Sequence, residues 1–358
     1  MEKGGAVSVF EHPWLGGLFA DPEMAAIWGP ERQLAQMLAF ERAWSVALGA
    51  CGLAPPEAAA GAGAVLAAAR IAPEALRSGM GADGVPTVAL VELLRAGQPG
   101  PVARAIHHGA TSQDVLDTAL ALTLRDCSGL LERRLVALGE TLAGLEARFG
   151  AAPLMGRTRM QAATRITVRD RLLSWRLPLE GHRARLAALR PVVERVQVGG
   201  AAGDRAALGA QAQAMTDRVA RELGLGSTAK AWHAMREGVV DYGSFLSLVS
   251  GSLGKIGQDV ALMAQQGLDE IALSGGGGSS AMPHKQNPVL AELLVTLARF
   301  NATQVSGLHQ ALVHEQERSG AAWSLEWMIL PQMALATGRA LAAAQTLLGQ
   351  VVRIGSPD

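Results

Sequence analysis

The stretch Gly275 to Val289, GGGGSSAMPHKQNPV, decides how the rest of the chain is read. Four glycines open it, and glycine adopts backbone conformations closed to other residues and leaves a segment mobile. Two hydroxyls follow, Ser279 and Ser280, then His284, Lys285 and Asn287. Pro288 starts an apolar pattern at helical spacing, Val289, Leu290, Leu293, Leu294 and Leu297. Proline suits the first helical turn and asparagine the N-cap before it. The segment therefore reads as a hydroxyl-rich loop that carries a lysine into a helix N-terminus, a geometry that can hold an anion and close over it. A Gly/Ser linker would account for GGGGSS, but it has no need of the Met282–Pro288 string. A phosphate-binding loop needs Gly-Lys-Ser/Thr after its glycines, and that tripeptide does not occur.

Outward from the loop, apolar residues recur at helical spacing over unusual lengths. One run leaves Thr111 and Ser112, both N-cap types, and reaches Phe149 through Val115, Leu122, Leu131, Leu138 and Leu145. It predicts one helix roughly 55 Å long, unless Gly129 or Gly139 bends it. Further long patterns cover about 166–196, with Pro178 and Pro191 as kinks, then 236–268, 289–316 and 321–352. Shorter helical pieces fall near 31–48, 57–70, 73–78 and 85–95. The Gly/Pro-rich run at 96–101 marks a boundary between a helical N-terminal domain, 1–101, and a long-helix bundle, 102–358. No strand alternation is evident, so the expected fold is all-α. Helices of this length exceed what one small core needs and suggest a bundle shared between subunits.

Composition narrows the function. The chain has 358 residues, 49% hydrophobic and 18% charged, which allows a large core. A formal net charge of zero gives nucleic acid no basic surface to bind. No apolar run reaches spanning length and no secretory leader is visible, so a cytoplasmic protein with no membrane partner is expected. Cys51 and Cys127 lie far apart, form no metal-type pair, and read as buried small hydrophobes in a reducing compartment. No His/Asp/Glu cluster has ligand spacing, so neither metal nor cofactor is expected.

Three other segments carry chemistry-bearing residues: His107-His108-Gly109-Ala110-Thr111-Ser112-Gln113-Asp114, Gly156-Arg157-Thr158-Arg159-Met160-Gln161-Ala162, and His314-Glu315-Gln316-Glu317-Arg318-Ser319-Gly320-Ala321-Ala322-Trp323. By themselves, Thr-Ser at a helix start is ordinary capping and a charged run between helices is a solvated turn. With the loop at 275–289, however, the set resembles the fumarase/aspartase superfamily, whose signature loop typically reads GSSxMPxKxNP and whose other motifs read GATSxD and GRTHxQxA. The resemblance covers most of the chain. It implies a small helical N-terminal domain and a central five-helix bundle. A small C-terminal domain is also usual, and for it this sequence, ending at Asp358 just after the fifth long pattern, shows no counterpart. It further implies a catalytic base at Ser279, substrate carboxylate contacts from Thr111, Ser112, Gln113, Gln161, Lys285, Asn287 and Arg318, and a homotetramer whose sites draw on three subunits. His107 matches a histidine common ahead of the second motif, whereas His108 has no counterpart.

Two departures refine the resemblance. The usual GRTH histidine is replaced by Arg159, and the N-terminal region where an adenylosuccinate lyase carries another, Gly84-Val85-Pro86-Thr87-Val88-Ala89, has none. Both departures, with Ser112-Gln113-Asp114, the glycine-rich Gly199–Gly203 and Ser324-Leu325-Glu326-Trp327, resemble the 3-carboxy-cis,cis-muconate cycloisomerase subgroup. That implies proton transfer next to a carboxylate, through an enediolate, on a small polycarboxylate. The leaving group would be the substrate's own carboxylate, which needs no acid, and Arg159 would hold it. Another lyase of the superfamily, or a helical scaffold that has lost activity, remains the alternative.

Overall fold

The structure, a computed structural model, describes residues 7–278, 282 and 285–356. Ser279, the expected base, lies outside the described residues, as do Ser280 and His284. The N-terminal third is built from α1 (Gly16–Phe19), α2 (Pro22–Trp28), α3 (Pro30–Ala50), α4 (Pro56–Ala68), α5 (Arg77–Asp83), α6 (Thr87–Arg95) and α7 (Gly100–Ala105). Prolines at the first turns of α2, α3 and α4 set these starts, where a missing N–H costs nothing.

The bundle then follows. The run from Ser112 forms α8 (Ser112–Phe149), one helix of 38 residues that neither Gly129 nor Gly139 interrupts. After it come a hairpin of β1 (Pro153–Thr158) and β2 (Gln161–Thr167), then α9 (Val168–Val193), α10 (Ala212–Leu223), α11 (Glu237–Met263), β3 (Ile271–Leu273), α12 (Val289–Ala311), α13 (Gly320–Gly349) and β4 (Val351–Ile354). The long patterns were thus placed well, and α9 continues through both Pro178 and Pro191.

One core joins the five long helices, with Leu131, Leu138, Trp175, Phe245, Leu253, Leu294, Met333 and Leu341 among its fully buried members. A second core joins α3, α4 and α6 to the start of α8, to Val196 and Val198, and to Met215 and Val219 of α10. No helix among the described residues is long and apolar enough to cross a membrane.

Two expectations need correction and one an addition: the fold is mostly helical, as expected, and carries two small antiparallel sheets, β1–β2 and β3–β4, among the described residues. Alternation could not reveal them, because β2 is exposed along nearly its whole length and β3 is only three residues. Helix α12 starts at Val289 with Pro288 at its N-cap position, one residue later than expected. Asn287 instead spends both backbone groups on Gly277, its N–H donating to Gly277 O (2.8 Å) and its carbonyl accepting from Gly277 N (2.9 Å). Finally, only Cys127 is buried, its thiol pushed up to about 12 by burial, while Cys51 is half-buried.

Candidate active site

The amino-terminal end of α8 is organised by an acid. Asp114 is fully buried, and its carboxylate accepts from Thr111 N (3.1 Å), Gly199 N (2.8 Å) and Gly200 N (2.9 Å) and meets His233 Nε2 at 3.0 Å. It pins the glycine-rich turn onto the helix start. The turn requires glycine: a Cβ at Gly199 would lie 2.5 Å from the His233 ring, and Gly200 has φ +67°. Thr111 caps the helix and Ser112 opens it, both half-buried at the positive end of the helix dipole, which favours an anion.

Gln113 faces the other way. It is wholly buried, donates through Nε2 to Asp117 Oδ2 (3.0 Å) and to His233 O (3.0 Å), and accepts at Oε1 from Arg318 Nε (2.8 Å). Arg318 also donates through Nη2 to Ala201 O (3.2 Å). Three segments distant in sequence, 107–114, 199–203 and 314–323, therefore meet at one end of the bundle. Just upstream, His107 has φ +59° and its Nδ1 lies 2.5 Å from the buried Glu41, while the His108 carbonyl accepts from Trp44 Nε1 (2.8 Å).

Behind this end lies a buried charge network that the sequence reading missed. Arg236 is completely buried, donating to Asp117 (Nη1 to Oδ2, 2.8 Å; Nη2 to Oδ1, 3.1 Å) and to Glu326 (Nε to Oε1, 2.8 Å; Nη2 to Oε2, 2.5 Å). Burial disfavours its charge, but Asp117 and Glu326 more than reverse this and hold the guanidinium above its ordinary range. Burial alone would push the Glu326 carboxyl up, yet the hydrogen bonds and charge of Arg236 hold it below its ordinary value. Asp117 also accepts from Trp323 Nε1 (3.1 Å) and Gln197 Nε2 (3.1 Å). A signal was present: Asp114 and Asp117 fall on the buried side of α8, and an acid on a buried face needs partners.

The other predicted residues lie at the opposite end. Arg159 and Met160, with φ +48° and +64°, form the two-residue turn of the β1–β2 hairpin, between the paired Thr158 and Gln161. Both positive φ values match the mirror-image turn that suits the twist of two strands. Arg159 and Gln161 are exposed, and Met160 keeps 71% of its surface. The hairpin is anchored by Arg157 against Glu270 (2.5 Å) and by Ser356 N on Pro153 O (2.8 Å). The glycine loop springs from the same place. Ser274 N donates to Gln350 O (2.8 Å), and the Gly277–Asn287 bridge closes the loop's neck. Glycine at 277 is needed for close approach, since a Cβ there would meet Val289 at 2.5 Å. Lys285 is exposed and its N–H donates to Met282 O (3.0 Å); Asn287 is half-buried.

The structure therefore brings Thr111, Ser112, Gln113 and Arg318 together, and separately Arg159, Gln161, Lys285 and Asn287. Helix α13 runs from one group to the other with 30 residues, a span of roughly 45 Å. One chain does not unite them.

Comparison with known proteins agrees with this architecture. A family model described as a lyase matches residues 56–307. The 3-carboxy-cis,cis-muconate cycloisomerase of Pseudomonas aeruginosa is 39% identical over 336 residues, covering 92% of this chain and 73% of that protein. The nitrosuccinate lyase of Streptomyces davaonensis is 34% identical over 339 residues, covering 89% and 70%. The crystal structure of the 3-carboxy-cis,cis-muconate lactonizing enzyme from Pseudomonas putida matches with a TM-score of 0.89 at 37% identity, over 94% of this chain and 77% of that one. With its signature loop, its long-helix bundle and relatives this similar over most of its length, the chain belongs to the fumarase/aspartase family of lyases.

Proposed function

We propose that this protein interconverts 3-carboxy-cis,cis-muconate and 4-carboxymuconolactone, moving a proton on the carbon next to a carboxylate through an enediolate. One observation carries the reading: the residue at the exposed apex of the β1–β2 hairpin is Arg159. A guanidinium stays protonated across the working pH range, so it cannot hand a proton to a leaving group; it can only hold an anion. Expelling an amine requires an acid, whereas a carboxylate, with a pKa of about 4, departs unaided. In the lactone reaction the departing group is the substrate's own carboxylate. The relatives named for this reaction supply the same direction.

In this mechanism Ser279 takes the carbon-bound proton. Lys285, Asn287 and Gln161 hold carboxylates from one side, and Thr111 and Ser112 with the α8 N-terminus hold them from the other. Arg318 and Arg159 add fixed positive charge where the enediolate gains negative charge, which favours the transition state over the ground state. Because α13 separates the two groups of residues within a chain, the working unit is proposed to be a homotetramer with sites shared between subunits. The same leaving-group argument admits a second reading, release of nitrite from a nitro acid, since nitrite also leaves unprotonated and one relative is named a nitrosuccinate lyase.

Purified protein is assayed for ultraviolet loss of the muconate beside nitrosuccinate, argininosuccinate, adenylosuccinate and fumarate. Turnover of the muconate supports the proposal; nitrosuccinate turnover without it selects the second reading. Turnover of an amine-releasing substrate alone would overturn both, because an acid absent from Arg159 would have to exist. For the shared site, Lys285→Ala and Arg318→Ala proteins are refolded together. Return of part of the activity is expected, and a monomer by sedimentation would remove the idea.

A further inference from the structure

We infer that Gln113 is a positioning residue, one that fixes the guanidinium of Arg318 at the polycarboxylate site without touching substrate itself. The inference rests on the function proposed above, in that Arg318 is taken to meet a substrate carboxylate. Gln113 lies next to Thr111 and Ser112 in sequence, yet it alone of the three is fully buried, at 0% exposure. Both of its amide hydrogens are consumed, one by Asp117 Oδ2 and one by His233 O, each at 3.0 Å. Its carbonyl oxygen accepts from Arg318 Nε at 2.8 Å.

This pattern admits only one orientation of the amide. Turning it over would set the oxygen against a carboxylate and a carbonyl, and the NH₂ against a guanidinium N–H. The acceptor that enforces the orientation is itself immobile. Asp117 is gripped by two nitrogens of Arg236 and by Trp323 and Gln197, and Arg236 is gripped in turn by Glu326. A chain of buried contacts thus ends in one carbonyl oxygen presented at the site.

Arg318 is what that oxygen holds. Its side chain is exposed, and an exposed arginine samples many rotamers unless tethered. Here Nε is tied to Gln113 and Nη2 to Ala201 O, so two points fix the plane of the guanidinium. Nη1 has no hydrogen-bond partner among the described residues, which leaves it available to an anion. A guanidinium held this way loses little freedom when a carboxylate arrives, and that is the gain from preorganisation.

The test is a double-mutant cycle of wild type, Gln113→Met, Arg318→Ala and the double variant. It is read by calorimetric affinity for tricarballylate, an unreactive tricarboxylate, and by turnover; melting temperature reports any structural loss separately. Gln113→Met should weaken tricarballylate binding by about tenfold where Arg318 is present and by less than about twofold where Arg318 has been replaced. Equal losses in both backgrounds would overturn the inference, since Gln113 would then act on the ligand or on the fold without Arg318. Failure of the wild type to bind tricarballylate would also overturn it. A non-additive cycle for probe binding, with a wild type that does not turn over the muconate, would sink the proposed reaction and leave the inference standing. If Gln113→Met does not fold, Gln113→Asn, an amide one methylene shorter, carries the same cycle.

Discussion

Replacing Arg236 by methionine should be among the most damaging single changes in this protein. The side chain is completely buried and makes hydrogen bonds to both Asp117 and Glu326. Two carboxylates and one guanidinium leave the trio with one net negative charge; without the guanidinium it carries two in the same dry space. Removing one partner of such a buried set costs about 3–5 kcal/mol, because it strands charge that water cannot reach. The size of the loss should depend on pH. In the wild type Glu326 sits below its unfolded value of 4.5, so its contribution is present above that pH and is lost only as pH falls through the lower folded value. In Arg236→Met the stranded Glu326 carboxyl should move above its unfolded value. The folded state then binds the extra proton, and stability declines as pH rises above about 4.5. Urea unfolding at fixed protein concentration, at pH 7 and pH 5, measures both. The variant should be destabilised by several kcal/mol at pH 7 and visibly less at pH 5. A loss under about 1 kcal/mol at pH 7, or one that does not change with pH, would refute the reasoning. Replacing Asp117, Arg236 and Glu326 together by apolar residues of similar volume should cost less than replacing the arginine alone.

Other outcomes are expected as well. Ser279→Ala should lower muconate turnover by roughly 10²–10⁴-fold with little change in melting temperature; near-normal turnover would pass the role of base to Ser280. Arg159→Lys should be impaired because lysine lacks the planar fork, and Arg159→His should weaken the native reaction without releasing amines from argininosuccinate; a fully active lysine variant would mean that a point charge suffices there. His182, buried with Nε2 2.8 Å from Ser252 Oγ, is pushed down to about 4 by burial and by Arg185. Its unfolded value of 6.5 is higher, so the unfolded state takes the proton first. Stability should be full above about pH 6.5 and fall as pH drops toward 4, and His182→Gln should flatten that slope in unfolding measured across the range.

The long helices were legible because each buries a continuous apolar stripe, and a stripe repeating every 3.6 residues is written directly into the order of residues. Helix α8 shows this well: Leu131, Leu135, Leu138 and Leu142 fall where the period puts them, and all are buried. The signature loop was legible for a different reason, since its glycines, serines, lysine and proline are contiguous. The hairpin that carries Arg159 was not legible. Its second strand is exposed except for the half-buried Ile166, so burial imposes no alternation, and the turn at Arg159 and Met160 shows only in their positive φ values.

What the residue order determined by itself was the family, the helical architecture and the residue types proposed here to meet a carboxylate substrate. What only the tertiary structure decided was their partition. Gln113 and Arg318, 205 positions apart, share a hydrogen bond, while Arg159 and Lys285 lie roughly a helix length away. Asp117, Arg236 and Glu326 form one buried unit although no local pattern links them. The physical reason is that periodicity reports which face of an element turns inward, and carries no information about which distant side chain it will meet there. That choice is made when the helices pack and each buried charge must find its counter-charge out of reach of water.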